Sequence, residues 1–303
     1  AAIVELQDAC FEVDDTFREV ESEILERFED PETNPETDSL LGVLDDGSII
    51  SSTWSYLASG AATKWRAFAD LHVHPDWRDR ALDPTLDWWE ARSIQRLADK
   101  DDDLPRYFWL GAYVQEQPWI EFLEGRGYAI VRYYDELILD LAQAHTEVPL
   151  PEGITVVPAK EAPPGHELKV HNESFRDHWG SQPFTQERWE HFKNEFYMPE
   201  ASFVAHDGDE PVGHILCTKY PHDFEDRGFT HAWIESLGVV RSHRKRGLAS
   251  ALIARSLRVF IEQGLEKAVL GVDSENPSGA YGLYEALGFG PGRRNVALVK
   301  RVE

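Results

Sequence analysis

The sequence predicts two tandem α/β domains, each with a mixed central β-sheet flanked by helices. Three observations support this prediction: the length, a strand–helix–strand order in the second half, and a partial repeat of the same segment in the first half. The 303 residues suffice for two domains of ~100–150 residues each. Hydrophobic residues make up 42% of the chain and aromatic residues 12%, so each domain can bury a core.

The domain boundary is predicted where helix and strand patterns both stop. Residues 142–153 are polar and contain prolines and a glycine, which interrupt either kind of element. We therefore divide the chain into domains 1–148 and 149–303. Within the first domain, an amphipathic pattern predicts a helix over Asp14–Glu29, and Pro31–Asp38 is predicted to be a loop.

The second domain shows its elements in a clear order. Apolar runs predict strands, a basic run predicts a loop, and a broad apolar surface predicts a helix. In chain order we predict strands at 202–206, 212–217 and 231–240, a loop at 241–246, a helix from Gly247 to about Gln263, and a strand at 267–273. The strand at 231–240, the helix from Gly247 and the strand at 267–273 form a βαβ unit with a right-handed crossover.

An offset of 166 residues superimposes part of the first domain on the second. Residues 71–83 then match residues 237–249 at five of thirteen positions. Further along, residues 122–128 resemble residues 283–289. Matched segments in the same order favour duplication of one fold.

The formal charge of −25 is unevenly distributed. Residues 1–150 hold 33 acidic and 12 basic residues, and residues 151–303 hold 22 and 18. An acidic surface repels phosphate backbones, so nucleic acid is a poor candidate partner. No apolar run reaches the ~20 residues that span a bilayer, and no signal-peptide pattern opens the chain. We expect a cytoplasmic protein without a membrane partner; its oligomeric state is open.

The segment from Val239 to Ala249 is the strongest candidate for a binding site. A strand ends, a loop follows, and a helix begins at Gly247. The first amides of this helix lack intrahelical partners and point outward at the positive end of the helix dipole. Such a helix start binds phosphate groups, and the basic loop adds positive charge. The alternatives are a solvated charge run and a GxGxxG dinucleotide site; the glycine cluster at 288–292 has no helix pattern after it.

Two sequence blocks here resemble the GNAT N-acetyltransferases. Arg244–Ala249 fits the R-x-x-G-x-A acyl-CoA signature, and residues 276–289 fit a second block, an Asn, then Ala, then Leu-Tyr-Glu-x-x-Gly-Phe. The duplicated layout resembles tandem two-domain members such as mycothiol synthase. Two positions depart from the pattern, because Lys245 replaces a frequent glycine and Arg241 a frequent proline.

The resemblance implies acetyl-CoA as co-substrate and assigns residues to it. The backbone at the end of the strand would bind the thioester end, the loop amides would hold the pyrophosphate, and an asparagine would contact the pantetheine arm. The implied set is Leu237, Val239, Arg244, Lys245, Arg246, Gly247, Leu248, Ala249 and Asn276. It also implies Tyr284 as the general acid.

The chemistry of acyl transfer agrees with two catalytic candidates. A phenol of pKa ~10 can protonate a departing thiolate whose conjugate thiol has a pKa of ~8.5, which suits Tyr284; the alternatives are simple packing, or Tyr281 in its place. Glu235 is the candidate base, because strand alternation places it on the face of Leu237 and Val239. An ion-paired or solvent-facing Glu235, a water relay and the C-terminal Glu303 are the alternatives.

The acceptor side and the metal question give weaker signals. His171, Asp177, His178 and Trp179 are candidate acceptor-binding residues, with packing as the alternative. His72 and His74 would share a strand face, but no third ligand is spaced nearby, so we predict no metal site.

The first domain is predicted to be non-catalytic. At the 166-residue offset, Gly247, Ala249 and Glu235 are replaced by Ala81, Asp83 and Ala69, and in the second matched segment Tyr284 is replaced by Leu123. A carboxylate at a helix start repels phosphate. Pro84 then lies where the helix should continue, which is tolerable only in a first turn.

The predicted function is acetyl transfer from acetyl-CoA to a primary amine. We expect a small-molecule acceptor and direct attack, since no arrangement of Cys or Ser with His indicates an acyl-enzyme. Two alternatives stay open: transfer to a peptide or protein N-terminus, and a non-catalytic acyl-CoA sensor.

Overall fold

The computed structural model describes residues 1–15, 18–29, 33–58, 61–176, 178–275 and 279–302. The chain forms two compact units. The first holds Ala1–Arg132 together with the residues from Asn295 onward, and the second holds Tyr133–Arg294. Within the described ranges, no helix has the length and apolar character needed to cross a membrane.

The first unit is a mixed sheet with helices. Its elements are α1 (Ala2–Asp14), α2 (Glu21–Glu29), α3 (Pro35–Asp38), β1 (Ser39–Val43), β2 (Ile49–Leu57), β3 (Trp65–Val73), α4 (Arg78–Ala98), β4 (Arg106–Tyr113) and α5 (Gln117–Gly125). Strands β1, β2 and β3 pair antiparallel in sequence, and β3 pairs parallel with β4.

The second unit repeats this plan. β5 begins and β11 ends in the first unit, and the rest of both strands belongs to the second. The elements are β5 (Ala129–Asp140), β6 (Ile154–Pro158), α6 (His166–Ser174), α7 (Gln186–Phe192), β7 (Phe203–Asp207), β8 (Glu210–Thr218), α8 (Asp223–Arg227), β9 (His231–Val239), α9 (Leu248–Glu262), β10 (Lys267–Asp273), α10 (Ala280–Ala286) and β11 (Gly290–Val302). Its strand order is β5-β10-β9-β8-β7-β6, in which only β9 and β10 run parallel.

The predicted boundary between residues 148 and 149 differs from the division into units. It lies inside the second unit, because β5 pairs antiparallel with β10 from Tyr134 to Asp140. Conversely, the C-terminal part of β11 pairs with β4 and so belongs to the first unit. Pairing between strands that are distant in sequence leaves no composition signal, so proline and glycine marked a loop but not the boundary.

The predicted βαβ unit is confirmed. β9 and β10 occupy the predicted segments, and α9 begins directly after Gly247 and ends one residue before Gln263. Gly264, with a φ of 74°, follows the helix and suits its C-terminal end. The apolar face of α9, with Leu252 and Phe260 fully buried, packs in the core of this unit.

The duplication is confirmed at the level of elements. β3 and β9 coincide residue for residue at the offset of 166, and a 3₁₀ turn follows each strand at Pro75–Trp77 and Arg241–His243. An arginine side chain then bonds back to the strand end in both units: Arg78 Nε donates to the Val73 carbonyl over 3.4 Å, and Arg244 Nε donates to the Val239 carbonyl over 3.1 Å.

Three expectations for the first domain were wrong. The predicted helix Asp14–Glu29 is divided, since α1 ends at Asp14 and α2 begins at Glu21. Residues 35–38 of the predicted loop form one helical turn, capped by Asn34 Oδ1, which accepts from the Glu36 amide at 3.0 Å; residues 31 and 32 lie outside the described residues. Pro84 lies inside α4 rather than in its first turn, because α4 begins at Arg78.

Candidate active site

The parallel strands of the second unit separate part-way along their length. β9 pairs with β10 only from His231 to Ile234. Beyond this point, residues 236–239 of β9 stay paired with β8, while residues 271–273 of β10 stay paired with β5. Within the described residues, the backbone groups of β9 that face β10 beyond Ile234 have no strand partner. We call this opening between residues 235–239 and 271–273 the strand gap.

Glu235 lies at the mouth of the strand gap on a β-bulge. The register of β8 against β9 shifts between Leu216, which pairs with Ser236, and Cys217, which pairs with Ile234, so Glu235 is the extra residue. The predicted face was therefore wrong. Ile234 and Leu237 pack in the same apolar core as Cys217, whereas the Glu235 carboxylate bonds to Thr218, the next residue along β8, whose side chain points to the other face of the sheet.

The Glu235 side chain is half-buried, and its carboxylate receives two hydrogen bonds. Thr218 Oγ1 donates to Glu235 Oε1 over 2.8 Å, and the Tyr220 hydroxyl donates to the same oxygen over 3.3 Å. Burial raises the pKa of Glu235, and the two hydrogen bonds lower it in part. A raised pKa brings a carboxyl group closer to the range in which a general base works best at neutral pH.

The loop before α9 has the backbone geometry that an anion site requires. Gly247 has a φ of 85° and Lys245 a φ of 60°, so two residues of the loop adopt the left-handed conformation. Lys245 stands where the family pattern frequently has glycine, and its positive φ explains that preference. Within the described chain, the amides of residues 245–250 donate to no other backbone group, since the first helical bond is made by the Ala251 amide. Open amides at a helix start are the kind of group that binds phosphate, and we call those of residues 245–250 the amide cradle.

The basic side chains of this loop have different surroundings. Arg244 turns inward: besides the Val239 carbonyl, its guanidinium donates to the Ser174 carbonyl over 2.8 Å, so it fastens the loop to β9 and α6. Lys245 and Arg246 are exposed and lie beside the open amides. Leu248 is buried in the core, so only its backbone is available to a ligand.

Tyr284 lies on α10 and is 8% exposed. Its ring packs edge-on against Phe289 with the centroids 5.9 Å apart. Burial raises the pKa of Tyr284 to about 12, so the hydroxyl stays protonated at neutral pH and is able to donate a proton. Tyr281, one helical turn earlier, is only half-buried.

The predicted acceptor residues differ in their surroundings. His171 is 7% exposed, and its Nδ1 lies 3.0 Å from Ser236 Oγ, which is also 3.3 Å from His214 Nε2. Its ring is 4.7 Å from that of Trp189. This burial behind β9 favours packing for His171.

The other acceptor candidates fall on or beside an undescribed position. His178 packs beside Phe175 with the ring centroids 5.6 Å apart, and Trp179 is half-buried. Three predicted residues, Asp177, Asn276 and the alternative Glu303, lie outside the described residues.

Thr218 and Tyr220 are site residues that sequence reasoning missed. They follow each other at i and i+2 directly after a predicted strand, and the hairpin-like order of β8 and β9 could have suggested their proximity to Glu235. The signal was insufficient because the bulge changes which side chains face each other.

The equivalent positions of the first unit lack these features. α4 begins at Arg78, so Ala81 is helical and buried rather than part of a loop with positive φ. Asp83 forms an ion pair with Arg126 at 2.6 Å, and Leu123 is fully buried. No metal-binding group of three or more suitable side chains is present in the described residues.

Comparison with known proteins defines the class. The model of the acetyltransferase (GNAT) family matches residues 168–289. N-alpha-acetyltransferase 30 of Schizosaccharomyces pombe is 34% identical over 110 residues, which are 36% of this chain and 69% of that protein. The chain belongs to the GNAT family of acetyltransferases.

Three further proteins are similar to this chain. Mycothiol acetyltransferase of Corynebacterium efficiens is 29% identical over 157 residues, half of each chain. The crystal structure of a GCN5-related N-acetyltransferase from Sphaerobacter thermophilus matches with a TM-score of 0.75 and 25% identity over 99% of this chain and 91% of that one. A tandem GNAT protein from the clavulanic acid biosynthesis pathway shares the fold, with a TM-score of 0.70 and 18% identity over 99% and 94% of the two chains.

Proposed function

We propose that the second unit transfers the acetyl group of acetyl-CoA to a primary amine on a small molecule. The observation that carries this proposal is the meeting of three features along β9 and the loop after it: the strand gap, the open amides of residues 245–250, and the hydrogen-bonded Glu235 carboxylate. A thioester whose pyrophosphate occupies the amide cradle would reach the gap with its acyl end near Glu235.

The binding roles follow from the groups available. The amides of residues 245–250 would hold the pyrophosphate, with Lys245 and Arg246 adding charge from the surface. Leu237 and the amide of Val239 would present backbone groups without a β10 partner to the thioester arm, and Asn276 keeps its assigned contact with that arm as part of the proposal. Arg244 would keep the loop in place through its two carbonyl contacts.

The catalytic roles balance as one direct displacement. The amine nitrogen attacks the acetyl carbon, the N–C bond forms and the C–S bond breaks. Glu235 accepts the proton that the amine loses, and Tyr284 donates a proton to the departing thiolate. This scheme needs no covalent intermediate on the protein.

The length of the match to known enzymes distinguishes two acceptor classes. The mycothiol acetyltransferases match over 145–157 residues, against 109–110 for the N-alpha-acetyltransferases, and this longer match supports a small molecule. The chain covers half or less of those mycothiol enzymes, so transfer to a peptide N-terminus is the second candidate, supported by 34% identity to the S. pombe protein.

A thiol-release assay tests the proposal. Acetyl-CoA is offered with a panel of aminosugars, polyamines, amino acids and N-terminal peptides, and acetylated products are identified by mass spectrometry. We expect turnover with small amines at least tenfold above the peptides, and loss of turnover in Glu235→Gln. Turnover with peptides alone would favour the second candidate. Tight binding of acetyl-CoA without release of its thiol in the presence of any amine would indicate a non-catalytic sensor.

The first unit is proposed to be non-catalytic. The start of its helix α4 lacks the left-handed loop, and Asp83 lies where the second unit has Ala249. Calorimetric titration is expected to give one acetyl-CoA per chain. Two bound molecules per chain would refute this part of the proposal.

A further inference from the structure

The end of β8 directs two hydroxyl groups at one oxygen of Glu235. Thr218 Oγ1 and the Tyr220 hydroxyl both donate to Oε1, at 2.8 Å and 3.3 Å. Within the described part of the chain, Oε2 receives no hydrogen bond, and it is not among the fully buried polar atoms without a partner. The two oxygens of this carboxylate are therefore not equivalent.

Both donors are held by their own surroundings. Thr218 ends β8 and forms an isolated bridge with Tyr197, and the next amide, that of Lys219, donates to the Phe196 carbonyl over 2.9 Å. The Tyr220 ring lies near two aromatic neighbours, 4.9 Å from that of Phe196 and 5.9 Å from that of His222. Because the Thr218 backbone and the Tyr220 ring both have contacts other than Glu235, the pair forms a preorganised clamp.

We propose that Thr218 and Tyr220 are positioning residues that fix the Glu235 carboxylate so that Oε2 takes the proton of the acceptor amine. This inference rests on the proposed function, in which Glu235 is the base. An oxygen that already accepts two hydrogen bonds has its lone pairs engaged and is the weaker proton acceptor. The proton therefore moves from the amine nitrogen to Oε2 as the N–C bond forms, and the clamped oxygen carries the remaining charge.

The clamp also has an electrostatic effect. Burial of Glu235 disfavours its charged form, and the two donated hydrogen bonds oppose burial by favouring that form. The titratable groups that the structure places around it are the Tyr220 phenol and the Cys217 thiol, whose pKa is raised by burial. Removal of either hydroxyl should raise the pKa of Glu235 further.

The pH dependence of kcat/KM tests the clamp. Thr218→Val and Tyr220→Phe each remove one donor while keeping the shape of the side chain. Since Glu235 acts when ionised, we expect the acidic limb of the profile to move to higher pH, by about one pH unit for Thr218→Val and less for Tyr220→Phe. At pH 7 this corresponds to a loss of up to about tenfold in kcat/KM, recovered as the pH is raised.

Conservative and remote variants serve as controls. Thr218→Ser restores the hydroxyl and should restore the wild-type limb. Thr155→Val, on the exposed side of β6, and Tyr107→Phe, on β4 of the first unit, make the same chemical changes away from Glu235 and should leave the limb in place. Acetyl-CoA binding and thermal melting of each variant verify folding; Tyr220 is only half-buried, so Tyr220→Phe decides the test if Thr218→Val is unstable.

The outcomes separate the clamp from the proposed function. An acidic limb that stays in place in Tyr220→Phe and Thr218→Val, while Glu235→Gln is inactive, overturns the clamp and leaves Glu235 as the base. Wild-type turnover in Glu235→Gln overturns the base itself. A shifted limb in both variants together with an inactive Glu235→Gln supports both.

Discussion

In the second unit, the helix after the parallel strand begins at Leu248, whereas in the first unit the equivalent helix begins at Arg78, four positions earlier at the offset of 166. Up to that point the two segments agree in strand, 3₁₀ turn and arginine-to-carbonyl contact. In the second unit, the residues before Leu248 form a loop with open amides. In the first unit, the equivalent residues from Arg78 onward are helical. Loss of one glycine accounts for this difference, because Ala81 disfavours the positive φ that Gly247 adopts.

The strands that precede these helices also differ. β3 runs against β2 in unbroken register from Ala67 to Val73, so Ala69 has an ordinary partner in Ser55. β9 is interrupted by the bulge that projects Glu235. The comparison teaches that one duplicated frame becomes a candidate active site through two local irregularities, a bulge and a left-handed loop.

The largest expected effect is at the bulge. Glu235→Gln keeps the size of the side chain and removes the proposed base, so we expect kcat to fall by ~10²–10⁴-fold with little change in acetyl-CoA affinity. Steady-state thiol release and calorimetric titration measure the two quantities. Asp83→Asn, which alters a carboxylate of the first unit, is the control; an equal loss there would undo the distinction between the units.

A second effect concerns acid stability. Burial, assisted by the charge of Arg188, lowers the pKa of His171 to about 4. Below pH ~6.5, His171 is therefore protonated in the unfolded chain but stays neutral in the folded chain. The free energy of unfolding falls by up to about 3 kcal/mol as the pH falls from ~6.5 to 4. His171→Gln should flatten the unfolding free energy over that window, as measured in urea at several pH values. The exposed His145→Gln should not, and an unchanged slope in His171→Gln would contradict the burial argument.

In the first unit, the pKa of His72 is shifted in the opposite direction to that of His171. Although burial opposes it, Asp70, at 2.8 Å, raises the pKa of His72 to about 10. Its stabilising contribution is fully present below pH ~6.5 and is lost as the pH rises through about 10. His72→Gln should therefore lower stability at pH 7 and have less effect at pH 10, which urea unfolding at the two pH values would measure. A loss that is equal at both pH values would argue against an ionic role.

A smaller effect is expected when the acidic residue of the first unit is placed at the equivalent position of the second unit. Ala249→Asp reproduces Asp83 at the start of α9, where a carboxylate suits the helix dipole but repels a pyrophosphate. We expect acetyl-CoA affinity to fall by about tenfold or more, with an unchanged or slightly higher melting temperature. Ala249→Ser is the neutral control, and undiminished affinity in Ala249→Asp would place the diphosphate elsewhere.

The smallest effect is at the left-handed loop. Lys245 has a φ of 60°, which costs a residue with a side chain about 1 kcal/mol relative to glycine. Lys245→Gly should therefore raise the unfolding free energy by up to that amount, while Lys245→Val should lower it. Thermal and urea unfolding report both changes, and a stabilised Lys245→Val would show that the loop conformation differs.

The sequence by itself determined the duplication, the βαβ unit and the helix start at Gly247. These features depend on interactions within a few residues, namely side-chain periodicity, glycine conformation and the spacing of matched segments, so a linear pattern records them. Tertiary structure decided the membership of β5 and β11 in the two units, the inward turn of Arg244 and the surroundings of Glu235. The sequence placed Glu235 near the end of the correct strand, but strand alternation gave it the wrong face. A bulge is fixed by hydrogen bonding to a neighbouring strand, and no alternation within β9 reports where that neighbour shifts its register.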